Sequence, residues 1–238
     1  MKKIIHTEAT RGRADHGWLK ANFSFSFANF YDPKRLQFGA LRVLNDDLIS
    51  PSMGFGTHPH KNMEIITIPL KGVLKHKDNM ANDWIPVLPG EVQVMSAGTG
   101  VYHSEINGSA HDNLSLFQIW ILPEKNEVTP RYDQKEFDEK ARQNTLQILV
   151  SSFNSDAKES LKIHQDAQIS RIDLVENSTF DYKLKSKNHG VYVVNISGEF
   201  TIDETILKTR DALGVSEIDV FQIKTTQNSQ LLLIEVPM

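Results

Sequence analysis

The sequence predicts an all-β protein made of two tandem barrels joined by a short helical connection. Three observations carry that prediction. Short runs of β-branched and aromatic residues, broken by Gly, Pro, Asn and Asp, dominate the chain in place of alternating strand and helix patterns. The 238 residues suffice for two modest cores. A strand–glycine–strand unit in the first half can also be laid on one in the second.

Taken in order, the clearest strands cover residues 64–70, 73–76, 91–95 and 114–122, then 190–196 and 230–236. Pro69 has no N–H to give a ladder, so it is expected at an edge or a bulge. Residues 132–142 have helical spacing, with Phe137 and Ala141 four apart among charges. This sets a first domain at 1–132, a helical linker at 133–143 and a second domain at 144–238. The repeat lays residues 65–74 on 191–200 and so aligns Gly72 with Gly198.

Composition excludes several functions. The 26 Lys and Arg against 30 Asp and Glu give a net charge of -4, which argues against direct nucleic-acid contact or an anionic membrane surface. With no cysteine there are no disulfides, thiolate metal sites or Cys nucleophiles, so a metal must use His, carboxylate, carbonyl or water. Residues 1–8 turn polar too early for a signal peptide, and no apolar run approaches a membrane span. A cytoplasmic location is expected.

Residues two apart on a strand share a face, so His58 and His60 project together, as do His103 and Glu105. Spacing alone does not select these pairs. His6 with Glu8, His76 with Asp78, and His164 with Asp166 have the same spacing. The setting is more specific: Gly54-Phe55-Gly56-Thr57 leads into His58-Pro59-His60, and Pro89-Gly90-Glu91 turns into a strand before His103.

Here the sequence resembles the cupin superfamily. His58, His60 and Glu64 match its first motif, and Gly100, His103 and Asn107 match its second, although Gly98 stands where that motif usually has Pro. A closer resemblance is to the pirin family, especially bacterial quercetinase-like pirins. It rests on Arg42-Val43-Leu44-Asn45-Asp46-Asp47, Gly54 through His60, Glu64-Ile65-Ile66-Thr67, the stretch from Met95 to Glu105, Asp32-Pro33, and Gln118-Ile119-Trp120-Ile121-Leu122-Pro123. It is dense over residues 12–134 and thin beyond.

The resemblance implies a bicupin of two double-stranded β-helix (jelly-roll) barrels. It also implies one metal, held in the first barrel by His58, His60, His103 and Glu105, and a quercetin 2,3-dioxygenase activity that releases carbon monoxide, with Glu105 as catalytic base. In general cupins the residue matching Glu64 is the carboxylate ligand, whereas the pirin pattern implies Glu105. Glu64 is accordingly read as an outer neighbour of the ligands. His76 with Asp78 is read either as a support orienting a ligand imidazole or as a solvated strand end. The remaining histidines, His6, His16, His111, His164 and His189, are read as structural or surface residues.

In the second barrel, sliding the hairpin match back puts Leu184 and Ser186 where His58 and His60 would be. His189 is the last histidine, so no second metal site is expected. The aromatic stretch Phe23, Phe25, Phe27, Phe30 and Tyr31 is read as core, with a stacking wall for a flavonoid as the alternative. Phe23, Pro69 and Trp84 depart from the quercetinase-like pattern.

Three imidazoles and a carboxylate, with no soft ligand, suit Fe(II) with open positions for oxygen; Ni, Cu or Zn would bind at least as tightly. The expected partners are a small flavonol-like aromatic and oxygen, acting on a monomer. The alternative is a metal-bound regulatory or redox-sensing protein that works through a protein partner.

Overall fold

The protein, in a computed structural model that describes residues 1–81 and 83–238, is almost wholly β. The first half runs through β1 (Lys2–His6), β2 (Gly12–Asp15), β3 (Leu19–Phe23), β4 (Leu41–Ile49), β5 (Gly54–His60) and β6 (Glu64–Lys71). It continues through β7 (Leu74–Asp78), β8 (Ile85–Val87), β9 (Glu91–Ser96), β10 (Val101–Asn107), β11 (Leu114–Ile121) and β12 (Arg131–Glu136). The second half holds β13 (Gln147–Ser152), β14 (Leu161–Ile163), β15 (Gln168–Leu174), β16 (Thr179–Lys183) and β17 (His189–Ser197). It ends with β18 (Phe200–Ile202), β19 (Thr205–Leu207), β20 (Ala212–Ser216), β21 (Val220–Thr225) and β22 (Ser229–Pro237). Among the described residues no helix is long and apolar enough to cross a membrane.

Each half forms a large sheet facing a small one. The first pairs the order β12-β9-β6-β11-β4-β3-β2 with β5-β10-β7-β8; the second pairs β1-β20-β17-β22-β15-β13-β14 with β16-β21-β18-β19. The two orders correspond strand for strand around β6 and β17. The turns that follow those strands correspond too: Gly72 has φ +88 and Gly198 has φ +89, a left-handed conformation that glycine adopts without cost. Two tandem cupin barrels account for this topology.

Alternation along the strands sorts side chains between two environments. In the first barrel Leu19, Ala21, Leu74, Val87, Leu114 and Leu116 point inward and pack across the two sheets. The opposite face of the large sheet, with Leu44, Ile66, Ile68, Val94, Phe117 and Ile119, packs on Val150, Ile169, Tyr192, Leu232 and Ile234 of the second large sheet. The broadest apolar cluster therefore lies between the barrels.

Pro69 sits at a bulge, where Ser115 and Leu116 of β11 oppose Lys71 and Pro69, beyond the last β6–β9 pair at Thr67 and Gln93. A bulge is a place where a residue with no N–H to give is tolerated. Two expectations need correction. The helical linker is a strand followed by a short 3-10 turn: residues 131–136 pair along the whole of β9, and only Glu139–Arg142 coil, capped by Asp138. A free edge on β9 outweighs a local spacing of four. The first strand, placed by sequence in the 1–132 unit, pairs along β20 in the second large sheet, where it holds the position that β12 holds in the first.

Candidate metal centre

The sequence Gly54-Phe55-Gly56-Thr57-His58-Pro59-His60 forms β5 at the edge of the small sheet, antiparallel to β10. His58 faces His103 and His60 faces Val101, but Phe55 faces Glu105, so a bulge at Gly56 and Thr57 separates the two registers. The Gly56 carbonyl made available there accepts from His58 Nδ1–H at 2.8 Å. That bond fixes the tautomer and leaves His58 Nε2 free.

The rings of His58, His60 and His103 lie 4.3 to 4.9 Å apart between centroids, and each offers a nitrogen within 4.8 Å of the others. His103 is buried and neither of its ring nitrogens has a hydrogen-bond partner. Burial, then the imidazoles of His58, His60 and His76, push its pKa down to about 2; burial and His58 bring His60 to about 4. Converging neutral imidazoles, one of them an orphan, are a donor set that fits a divalent cation. The carboxylate of Glu105 comes within 4.8 Å of His103. Gln118 Nε2–H donates to one of its oxygens at 2.9 Å, and the Thr67 hydroxyl, 2.9 Å from Gln118 Oε1, stands 3.4 Å from the other. Burial raises Glu105 to about 7 against those two neighbours.

Of the remaining sequence candidates, His76 lies beside Glu105 in the β7–β10 register and is fully buried rather than solvated. Its Nε2–H donates to Asp78 at 3.0 Å, its Nδ1 accepts from Gln93 at 3.2 Å, and its ring stacks on Tyr132. Both nitrogens are thus engaged, and the ring centroid sits 5.2 Å from that of His103. Glu64 does not join the cluster. It shares the parity of Ile66 and Ile68, faces the second barrel, and accepts from Ser96 O–H at 2.7 Å. It is the odd-numbered residues of β6 that turn inward, Ile65 onto Met95 and Thr67 onto Glu105.

A cavity of about 560 Å³ opens beside the donors. Trp18, Leu19, Ala21, Phe23, Phe27, Phe55 and Trp120 wall it, and His58, His60, Glu105, Gln118, Asn45 and Asp47 are among its polar members. The aromatic stretch is therefore split: Phe23 and Phe27 form cavity wall, whereas Phe25 packs on Tyr192 between the barrels. His16, read as a surface residue, is exposed but borders the cavity, a position that no local signal marks. Trp84 is exposed beside a smaller cavity of about 280 Å³ that reaches His103.

The second barrel holds no such cluster among the described residues. Strand pairing puts Phe221 and Ile223 at the places of His103 and Glu105, and Tyr182 and Leu184 at those of His58 and His60. The hairpin match had set Leu184 and Ser186 there, two residues too far along. All four occupants belong to an apolar core that fills this barrel.

Two barrels of one topology, with two donor groups that share His103 inside the first, define a bicupin whose donors among the described residues converge in the first barrel. Residues 5–121 match the family model described as Pirin, and residues 149–236 match the one described as Quercetinase C-terminal cupin domain. The chain is 43% identical over 229 residues to a quercetin 2,3-dioxygenase of Escherichia coli, covering 95% of each. It is 40% identical over 224 residues to a pirin-like protein of Caulobacter vibrioides, covering 94% of this chain and 95% of that one. The crystal structure of the bacterial pirin YhhW from Escherichia coli in complex with nickel(II) superposes with a TM-score of 0.92 at 40% identity, covering 99% of both chains. The chain belongs to the pirin family.

Proposed function

We propose that the protein is a metal-dependent dioxygenase that cleaves flavonols such as quercetin with oxygen, and that His58, His60, His103 and Glu105 hold its single divalent ion. The observation that carries this reading is the orphan imidazole of His103, buried among two further imidazoles beside an aromatic-walled cavity. It is supported by relatives named quercetin 2,3-dioxygenase that match nearly the whole chain. Iron(II) is the proposed ion, because borderline imidazole nitrogens and a hard carboxylate oxygen, with open positions, suit oxygen chemistry. The nickel(II) of the Escherichia coli relative accords with the weak selectivity of such donors.

When bound, the ion supplies Lewis acidity that favours ionisation of a coordinated hydroxyl. The chain's own residues do the rest. His58 is held by the Gly56 carbonyl and His103 packs on His76, so the donors are oriented in advance. Phe23, Phe27 and Trp120, in contact with one another, form an apolar aromatic wall for a planar substrate to lie against. Glu105, steadied by Gln118 and Thr67, is placed to take the proton of the flavonol 3-hydroxyl. Oxygen then adds to the heterocycle, which opens and releases carbon monoxide. The location proposed for this chemistry is the cytoplasm.

Iron-loaded protein incubated aerobically with quercetin is expected to release carbon monoxide, and His103→Ala to bring the release to background together with loss of bound metal. An iron-loaded wild type that evolves none would sink the reading.

A further inference from the structure

The cavity has a polar side that the metal chemistry does not use. On β11 and β4, Gln118 pairs with Asn45, and Asp47 lies two residues further on, opposite Leu116 and Ala21. Asn45 and Asp47 line the cavity and are only 3% and 5% exposed. Asn45 Oδ1 and Asp47 Oδ1 are nevertheless buried without a hydrogen-bond donor. Native interiors rarely leave such acceptors unpaired, and a site so built rejects ligands that bring no donor. Burial first, then Asp46 and Glu105, push Asp47 up to about 8, as befits a carboxyl offered no donor by the protein. The neighbouring wall of Leu19, Ala21 and Phe23 is apolar, so a flat ring that carries O–H groups fits both the wall and the acceptors.

We propose that Asn45 and Asp47 are specificity residues that accept hydrogen bonds from the substrate's hydroxyls remote from its 3-hydroxyl, making the cavity selective for polyhydroxylated flavonols. The proposal rests on the flavonol reading of the metal centre. It is tested by binding, so that turnover is not needed.

Zinc-loaded protein, which is redox-silent, would be titrated anaerobically by calorimetry with quercetin and with 3-hydroxyflavone, which lacks the remote hydroxyls. Wild type is expected to favour quercetin by roughly 10- to 100-fold. Asp47→Leu should weaken quercetin by about tenfold or more while leaving 3-hydroxyflavone within about twofold, and Asp47→Asn, which keeps an acceptor, should recover part of the preference. Equal affinities in wild type, binding of neither flavonol, or an unchanged ratio in folded Asp47→Leu would overturn the proposal. If the leucine variant does not fold, the two ligands on wild type still decide. A quercetin preference that persists in protein evolving no carbon monoxide would sink the dioxygenase reading and leave this subsite standing.

Discussion

Burial pushes the carboxyl of Glu64 up to about 7, although Ser96, the backbone of His164 and Arg131 all favour its ionised form. The folded state therefore holds a proton that the unfolded chain gives up near its ordinary value of 4.5. For a raised pKa, the stabilisation is complete below the unfolded value and is lost as pH rises through the folded one. Wild type should accordingly lose stability relative to Glu64→Gln between pH 5 and pH 8, by at most roughly 3 kcal/mol. Paired melting curves at those two pH values check this; a constant difference would count against it. The same residue shows what was legible in the sequence. Period-two spacing put His58 with His60 and His103 with Glu105, and the structure brings the histidines together. Motif spacing put Glu64 beside them, whereas the parity of β6 turns it to the other barrel. Gln118, Thr67, Asn45 and Asp47 lie in stretches that carry the family resemblance, but spacing gives them no place at the site, because only the pairing of β4, β6 and β11 sets them around Glu105 and its cavity.

Strands with strong β-branched runs, such as β6, β11, β17 and β22, stand within a residue or two of where periodicity sets them. Edge strands do not, because their residues answer to a neighbour rather than to a local pattern. The sequence Lys2-Lys3-Ile4-Ile5-His6 pairs with all five residues of β20, while Lys3 reaches Asp203 at 2.7 Å and His6 meets the Tyr192 hydroxyl at 2.7 Å. An exposed lysine such as Lys2 on this edge also discourages pairing with another chain. Removing residues 1–6 would uncover β20 and leave Tyr192 without its buried partner. A loss of about 3 kcal/mol is expected from several ladder bonds at roughly 1 kcal/mol each. For a chain of this size that lowers Tm by roughly 6–12 °C, with increased aggregation at the bared edge. Metal content should persist, since β5 and β10 lie in the other barrel. An unchanged melting curve would show that β1 is only laid on the sheet.

At the scale of the molecule, the two large sheets share one apolar layer, with Ile66, Phe117 and Ile119 from the first against Tyr192, Leu232 and Ile234 from the second. Neither barrel can lose its fold without baring that layer, and β1 ties the first residues of the chain to the second sheet. Unfolding is therefore expected as one cooperative transition. The distribution of tryptophan makes this testable, because Trp18, Trp84 and Trp120 all precede β12 and no tryptophan follows it. Indole fluorescence reports the first barrel, and far-ultraviolet circular dichroism reports both. Leu232→Ala, buried in the second sheet at the shared layer, should cost ~2–5 kcal/mol through lost burial and a residual cavity. If the layer couples the barrels, the fluorescence midpoint in urea falls with the dichroism midpoint, by the same amount. A fluorescence midpoint that stays at the wild-type value while the dichroism splits into two steps would mean that the barrels fold independently. The metal centre would then owe nothing to the second barrel. If the midpoints move together, the second barrel, filled by Tyr182, Phe221 and Ile223 where the first keeps its donors, acts as the support that holds β6 and β11, and through them Thr67 and Gln118, against Glu105.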